Sequence, residues 1–536
     1  MKKRLIYGWL LAGVTFASSC TKNFDEVNTD PYKATSENFN PNFLMSQAQI
    51  QFSQTGYDQL LFQSMWVQSL ASTFDYYANG DKYVLRGSGT GYYSRTWNRG
   101  YGALTLVDEM KNLVQGKTQY SNLDACGTIL RVMFIQRITD LHGDVPYSQE
   151  GQAKSGNVAP VFDKQQDIYK AMLSQLDAAT AALDLNKDKP SSDLFYGGDI
   201  SKWKRLGYSL MLKAAMRLTK VDAATAKTYA EKAYAAGTMT SVADNAKVLT
   251  DNANGNSNSN SDALLVADDF REVRWGKTLI DIMKTSNDPR ISAVAEVSAG
   301  TGKAANEDRA TPGVNTASLQ IGMPNGYDLN GGATDISKAP NYPGTSPANP
   351  AVPNDAPAPV GKYSRPRLTV YDDRSGVNML YTYGESELLL AEAAVRGWNT
   401  GSAATHYANA LAADIRSLAQ MNATPQAVVS DNDIASYVSR NPLNTANTTA
   451  LQQINTEYYV VTSTTFNFNE TFANWRRSGY PVLTPVTYPG QYITGSIPRR
   501  MPYPITLPQT NGANYQAAVA NQGPDNFATR VWWDKQ

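Results

Sequence analysis

Phe468-Asn469-Glu470-Thr471-Phe472-Ala473-Asn474-Trp475-Arg476-Arg477-Ser478-Gly479-Tyr480-Pro481 decides how this chain is read, followed by Pro498-Arg499-Arg500-Met501-Pro502-Tyr503-Pro504 and Arg530-Val531-Trp532-Trp533-Asp534. Helix formers run from Glu470 to Arg477, Gly479 and Pro481 stop them, and aromatic rings alternate with arginines whose guanidinium planes can stack on them. An ordered, packed terminus is expected rather than a tail.

Working outward, helical signals dominate. Within 163–183 the positions Ile168, Ala171, Met172, Leu176, Ala179 and Leu183 form one apolar stripe, with Asp163 as the expected cap and Gln166 three residues on. Segments 102–114, 124–141, 203–219, 223–236, 275–284, 385–396 and 403–418 are rich in helix formers. Two stretches echo one another, Tyr229-Ala230-Glu231-Lys232-Ala233-Tyr234-Ala235-Ala236-Gly237 and Leu390-Ala391-Glu392-Ala393-Ala394-Val395-Arg396-Gly397-Trp398. Their alanines admit a close second helix and their glycines can end the first, so helix pairs like degenerate tetratricopeptide units are expected. Between the helices, 251–261 is polar and 299–366 is dominated by Gly, Ala, Asn and Pro, compositions that cannot bury enough apolar surface to fold alone.

At the other end, Lys2, Lys3 and Arg4 precede an apolar run and then Ala17-Ser18-Ser19-Cys20. That order reads as a secretory signal over 1–19, whose apolar run from Leu5 to Phe16, about 12 residues, is too short for a spanning helix of about 20. The small residues before Cys20 resemble a bacterial lipobox, with Ala17 where Leu is usual, which implies a lipidated Cys20. Cys126 is then the remaining thiol, expected as a packed residue. Losing 1–19 removes three of 48 basic side chains and none of 48 acidic ones, so no basic footprint for nucleic acid is left.

Catalytic patterns are missing. The two histidines, His142 and His406, lack zinc spacing, and no Gly-x-Ser-x-Gly elbow occurs. Gly116-Lys117-Thr118 and Gly276-Lys277-Thr278 lack the first glycine of a phosphate loop. The neighbours Asp268/Asp269 and Asp372/Asp373 leave a glycosidase or peptidase as a rival reading. Neither a metal nor a cofactor is expected.

Binding chemistry is richer. The chain has 31 Tyr against 15 Phe, and Tyr offers an apolar face with a wet end. The densest patch runs from Phe74 to Asn98, interleaved with glycines. From it Tyr76, Tyr77, Tyr83, Trp97 and Asn98 are candidate ligand contacts, with Trp275 added where a helix is expected to open beside a polar loop.

Six phrases in order resemble the SusD/RagB family of surface nutrient-binding lipoproteins: Val27-Asn28-Thr29-Asp30-Pro31, Gly143-Asp144-Val145-Pro146-Tyr147, Asn287-Asp288-Pro289-Arg290, Gly322-Met323-Pro324-Asn325-Gly326, the Glu385 to Trp398 stretch, and the terminal run. His142 departs from the aromatic usual before Gly143. The resemblance implies a mainly α SusD-like fold. Residues 20–536 would form one domain, a helical scaffold with irregular parts at about 299–366 and 420–536. It further implies an outer-membrane lipoprotein, facing outward, that delivers oligosaccharide, or peptide in the RagB branch, to a TonB-dependent SusC-like transporter. Turn and cap chemistry alone explains most of the phrases, so they are expected to hold the scaffold.

Overall fold

The computed structural model describes residues 39–87, 89–300, 302–343 and 360–535. The expected signal segment, Cys20 and the Val27-Pro31 phrase lie outside the described residues, as do 344–359 of the long insertion. From Asn42 onward the described chain is a single unit.

The main helices are α1 (Asn42–Ser53), α2 (Gly89–Val114), α3 (Ser121–His142), α4 (Gln165–Ala182), α5 (Ile200–Arg217), α6 (Ala223–Ala236), α7 (Lys277–Thr285), α8 (Tyr383–Val395), α9 (Ala403–Leu418), α10 (Asp431–Arg440), α11 (Asn447–Thr464), α12 (Phe468–Ser478) and α13 (Gly512–Gln522). Successive helices from α1 to α6 pack as neighbours, α8 pairs with α9, and α8, α11 and α12 stack side by side. Gly237 and Gly397 end α6 and α8 at φ of 101° and 80°, where a side chain would be strained. The apolar stripe of α4 (Ile168, Met172, Leu176, Ala179) is buried against α3 and α5 in the larger core, where Cys126 also packs as a free thiol.

Strands are short and antiparallel. β1 (Leu70–Ser72) pairs with β5 (Val273–Trp275), β2 (Val145–Pro146) with β3 (Phe162–Asp163), β4 (Ala246–Leu249) with β8 (Val377–Tyr381), and β6 (Ala295–Glu296) with β7 (Arg365–Pro366). The described part of the insertion docks on the first pair. The amide of Met323 donates to Trp275 O at 2.9 Å, and Met323, Ile336 and Tyr363 bury around Ala71.

Three expectations need correction. Asp163 does not cap α4; its carboxylate accepts the amides of Tyr147 and Ser148, and the free amide of Gln165 donates to Asp144 at 2.8 Å instead. A residue 21 positions away in sequence thus supplies the carboxylate, because the β2–β3 hairpin brings the Gly143-Asp144 turn to the helix start. Trp275 ends β5 rather than opening a helix, and α7 starts at Lys277. Residues 420–536, expected to be irregular, carry α10 to α13; their Asn, Thr and Pro content masked helices whose buried faces are aromatic and polar.

The terminal phrase is the centre of a buried charge network. Arg477 donates both Nη atoms to Glu392, at 2.6 and 2.7 Å, and is held sideways by Asn455 and Asn474. Burial pushes the Glu392 carboxyl up, but the charges of Arg477 and then Arg396 hold it well below the usual range. Two turns earlier on α12, Glu470 accepts Arg217 at 2.6 Å and the Tyr458 hydroxyl at 2.9 Å. Arg476 lies over Phe472 and Trp533, at 4.1 and 4.7 Å from the ring centroids, and donates to the carbonyl of Asp140. The Asn287-Arg290 phrase makes a similar knot, with Arg290 shared between Asp288 and Glu457.

Candidate ligand-binding surface

The start of α2 sorts its aromatics by helical spacing. Tyr93 and Trp97, four apart, turn inward and are buried, which leaves Tyr92 and Arg95, three apart, at the surface. The Arg95 guanidinium sits over the Tyr92 ring at 4.7 Å and, 42% exposed, reaches back to the buried Asp58 at 3.5 Å.

Two rings meet Tyr92 directly and a third adjoins them. Tyr57 and Tyr76 approach Tyr92 edge to face at 5.4 and 5.6 Å, lie 5.4 Å from each other, and Phe74 adjoins Tyr76 at 6.1 Å. All four are half-buried, so each is fixed by its neighbours yet keeps part of its surface open. Beneath them the Tyr77 hydroxyl donates to Asp269 at 2.7 Å, and Asp269 also interacts with the Tyr57 hydroxyl. Burial lifts the Asp269 carboxyl to about 6, against the lowering effect of the Tyr77 and Tyr57 hydroxyls.

The loop carrying Phe74 and Tyr76 is pinned from inside. Asp81, fully buried, accepts the Ser72 amide, Asn325 Nδ2 at 2.7 Å and the Gly326 amide at 2.9 Å, while Lys82 donates to Ser72 O and to Asp81. Asn79 closes the turn, donating to Tyr76 O and accepting the Arg86 amide. The Gly322-Gly326 phrase therefore acts as the clamp behind the aromatic loop, through Asp81.

Of the expected contacts, Tyr76 belongs to this cluster, and Asn98 is exposed one turn beyond Arg95 on α2. Tyr77, Tyr83 and Trp275 are fully buried, so none presents a ring face to a ligand. Tyr83 packs near Tyr492 with φ at 58°, and Trp275 donates Nε1 to Val294 O at 3.0 Å between Tyr371 and Phe466. Trp97 faces away from the cluster, against Tyr101, His142 and Tyr503. The expectation placed weight on Gly-rich surroundings, which mark a turn and not whether its rings point out. Tyr57, Tyr92 and Arg95 were missed. The inward pair Tyr93 and Trp97 is the signal that leaves Tyr92 outside, whereas Tyr57 reaches the cluster through tertiary packing.

Among the described residues no group of His, Cys, Asp or Glu side chains is arranged to hold a metal ion, and no helix is long and apolar enough to cross a membrane. Asp372, one of the neighbouring acids, is raised to about 8 by burial, and Asp269 is committed to tyrosine hydroxyls.

The chain matches, over residues 33–504, the SusD-like family model described as starch-binding associating with outer membrane. Among solved structures, one described as a chitin-binding protein superposes with a TM-score of 0.77 at 29% identity, covering 93% of this chain and 100% of that one. A chitin-binding SusD homolog from Flavobacterium johnsoniae gives 0.71 at 25% identity, covering 92% and 99%. A SusD-like protein from Bacteroides thetaiotaomicron gives 0.69 at 23%, covering 93% and 99%, a likeness of fold. No curated protein matches the sequence. With the family model spanning most of the chain, this protein belongs to the SusD-like family of outer-membrane-associated binding proteins, which are not enzymes.

Proposed function

We propose that this protein captures an oligosaccharide outside the cell and hands it to a TonB-dependent SusC-like transporter, making and breaking no covalent bond. The observation that carries this reading is the half-open cluster of Tyr57, Phe74, Tyr76 and Tyr92 beside Arg95. A pyranose ring has an apolar C–H face that lies on an aromatic ring and hydroxyls that need polar partners; Arg95, Asn98 and the tyrosine hydroxyls supply those partners. Because the cluster is braced by Asp269 from below and Asp81 from behind, little ordering cost is left for binding.

Chitin oligosaccharides are the favoured substrate class, since two relatives at 25% identity or more are described as chitin-binding. Attachment is through lipid on Cys20, and residues 20–536 act as one domain on the outer face of the outer membrane.

Calorimetric titration with chitin oligosaccharides, maltooligosaccharides and a peptide panel tests the reading. Saturable binding of chitin fragments, weakened by Tyr92→Ala, is expected; binding of peptides alone would overturn it. Cys20→Ala is expected to release the protein from the membrane fraction, and unchanged membrane attachment would refute the anchor.

A further inference from the structure

A second cleft lies on the opposite side of α2 from Tyr92. Trp97 and Tyr101, one helical turn apart, form its floor with ring centroids 4.8 Å apart. The loop joining β2 and β3 makes one wall through Gln149, Asn157 and Val158, and Leu507 and Asn511 close the other side. The open space is about 310 Å³, at the lower end of the range for small-molecule sites.

The walls are tied in place. Tyr101 Oη donates to Pro146 O at 2.7 Å; Gln149 Oε1 accepts both Asn157 Nδ2 and the Val161 amide at 3.1 Å. Asn511 Nδ2 donates to Pro160 O at 2.7 Å, joining the loop to the C-terminal segment. The lining holds no lysine or arginine, and Glu150 at its end is bound to Arg131 at 2.8 Å, a guanidinium that Asp108 shares at 3.2 Å. Two features are left without a structural use. The Val158 side chain stands at the lip 76% exposed, and the Trp97 indole N–H has no acceptor among the described residues and is not sealed from solvent.

We propose that this cleft is a second saccharide site, taking a neutral sugar unit with an apolar substituent, of the N-acetylhexosamine class. The acetamido methyl meets Val158 and Leu507, the acetamido carbonyl accepts the Trp97 N–H, and the ring hydroxyls meet the Gln149 and Asn157 amides. Charged sugars are disfavoured, since the cleft has no unpaired ion to receive them. The proposal shares its substrate class with the function proposed above, but none of its residues.

The test is the stoichiometry of N,N'-diacetylchitobiose binding to the full-length protein in detergent, by calorimetry with indole fluorescence as a second readout. Two equivalents are expected for the wild type. Val158→Arg, at an exposed position, and Gln149→Ala should each remove or weaken at least tenfold one equivalent, the one that changes indole fluorescence. Tyr92→Ala should affect only the other. Two equivalents untouched by Val158→Arg and Gln149→Ala, a single equivalent abolished by Tyr92→Ala, or no binding at all would overturn the second site. A single equivalent lost in Val158→Arg and kept in Tyr92→Ala would uphold the cleft and refute the Tyr92 cluster.

Discussion

The knot around α12 and the cluster at the start of α2 use the same ingredients, an arginine plane over an aromatic ring, at 4.1 Å for Arg476 on Phe472 and 4.7 Å for Arg95 on Tyr92. What separates them is water. Arg476 and Arg477 are buried and their donors run to fixed carbonyls, amides and carboxylates, whereas Arg95 is 42% exposed with a pair to Asp58 at 3.5 Å. A stacked arginine with no solvent rigidifies; a stacked arginine at the surface leaves donors for a guest. The most recognisable words of the sequence therefore belong to the framework, and the less distinctive aromatic loop belongs to the proposed site.

The comparison is broken most forcefully at Arg477. Arg477→Met leaves Glu392 buried without its bidentate partner and is expected to cost about 3–5 kcal/mol in urea denaturation. Pairing it with Glu392→Leu should recover most of that loss, and oligosaccharide affinity of the folded protein should not change. Tyr92→Ala should do the reverse: affinity at the cluster falls about tenfold, or about 1.4 kcal/mol, while stability moves by less than about 1 kcal/mol, the ring being only half-buried.

A third test uses pH. Asp269 is raised to about 6 by burial, so the stability it contributes is fully present below its unfolded value of about 3.9 and is lost as pH rises through about 6. Melting temperature against pH should therefore decline through this window in the wild type and decline less in Asp269→Asn. The smallest effect is at Asn98, exposed on α2, where Asn98→Ala should cost binding no more than one net hydrogen bond, about 0.5–1.5 kcal/mol, and leave the unfolding midpoint in place.

Much of the framework was legible because local chemistry and tertiary role agree. Alanine spacing and the Gly237 and Gly397 stops mark α6 and α8, and the rings beside Arg476 mark a stacked, buried terminus. Legibility failed where a residue type has two uses. Asp163 looks like a cap but holds the Tyr147 turn, while Asp144 from the preceding hairpin does the capping. Tyr77, Tyr83 and Trp275 carry the same polar-tipped rings as Tyr76 and Tyr92, and sequence spacing does not say which the insertion and the C-terminal segment will cover. Tyr57 joins Tyr76 and Tyr92 only because its short helix packs against α2, a contact with no local signature.

The central claim, that recognition resides in the Tyr92 cluster while the family phrases supply the frame, is met most directly by titrating a chitin oligosaccharide into Val158→Arg protein, which silences the second cleft, with and without Tyr92→Ala. The account predicts an affinity about tenfold weaker in the Tyr92→Ala protein, with stability changed by less than about 1 kcal/mol. Equal affinity in the two proteins would contradict it.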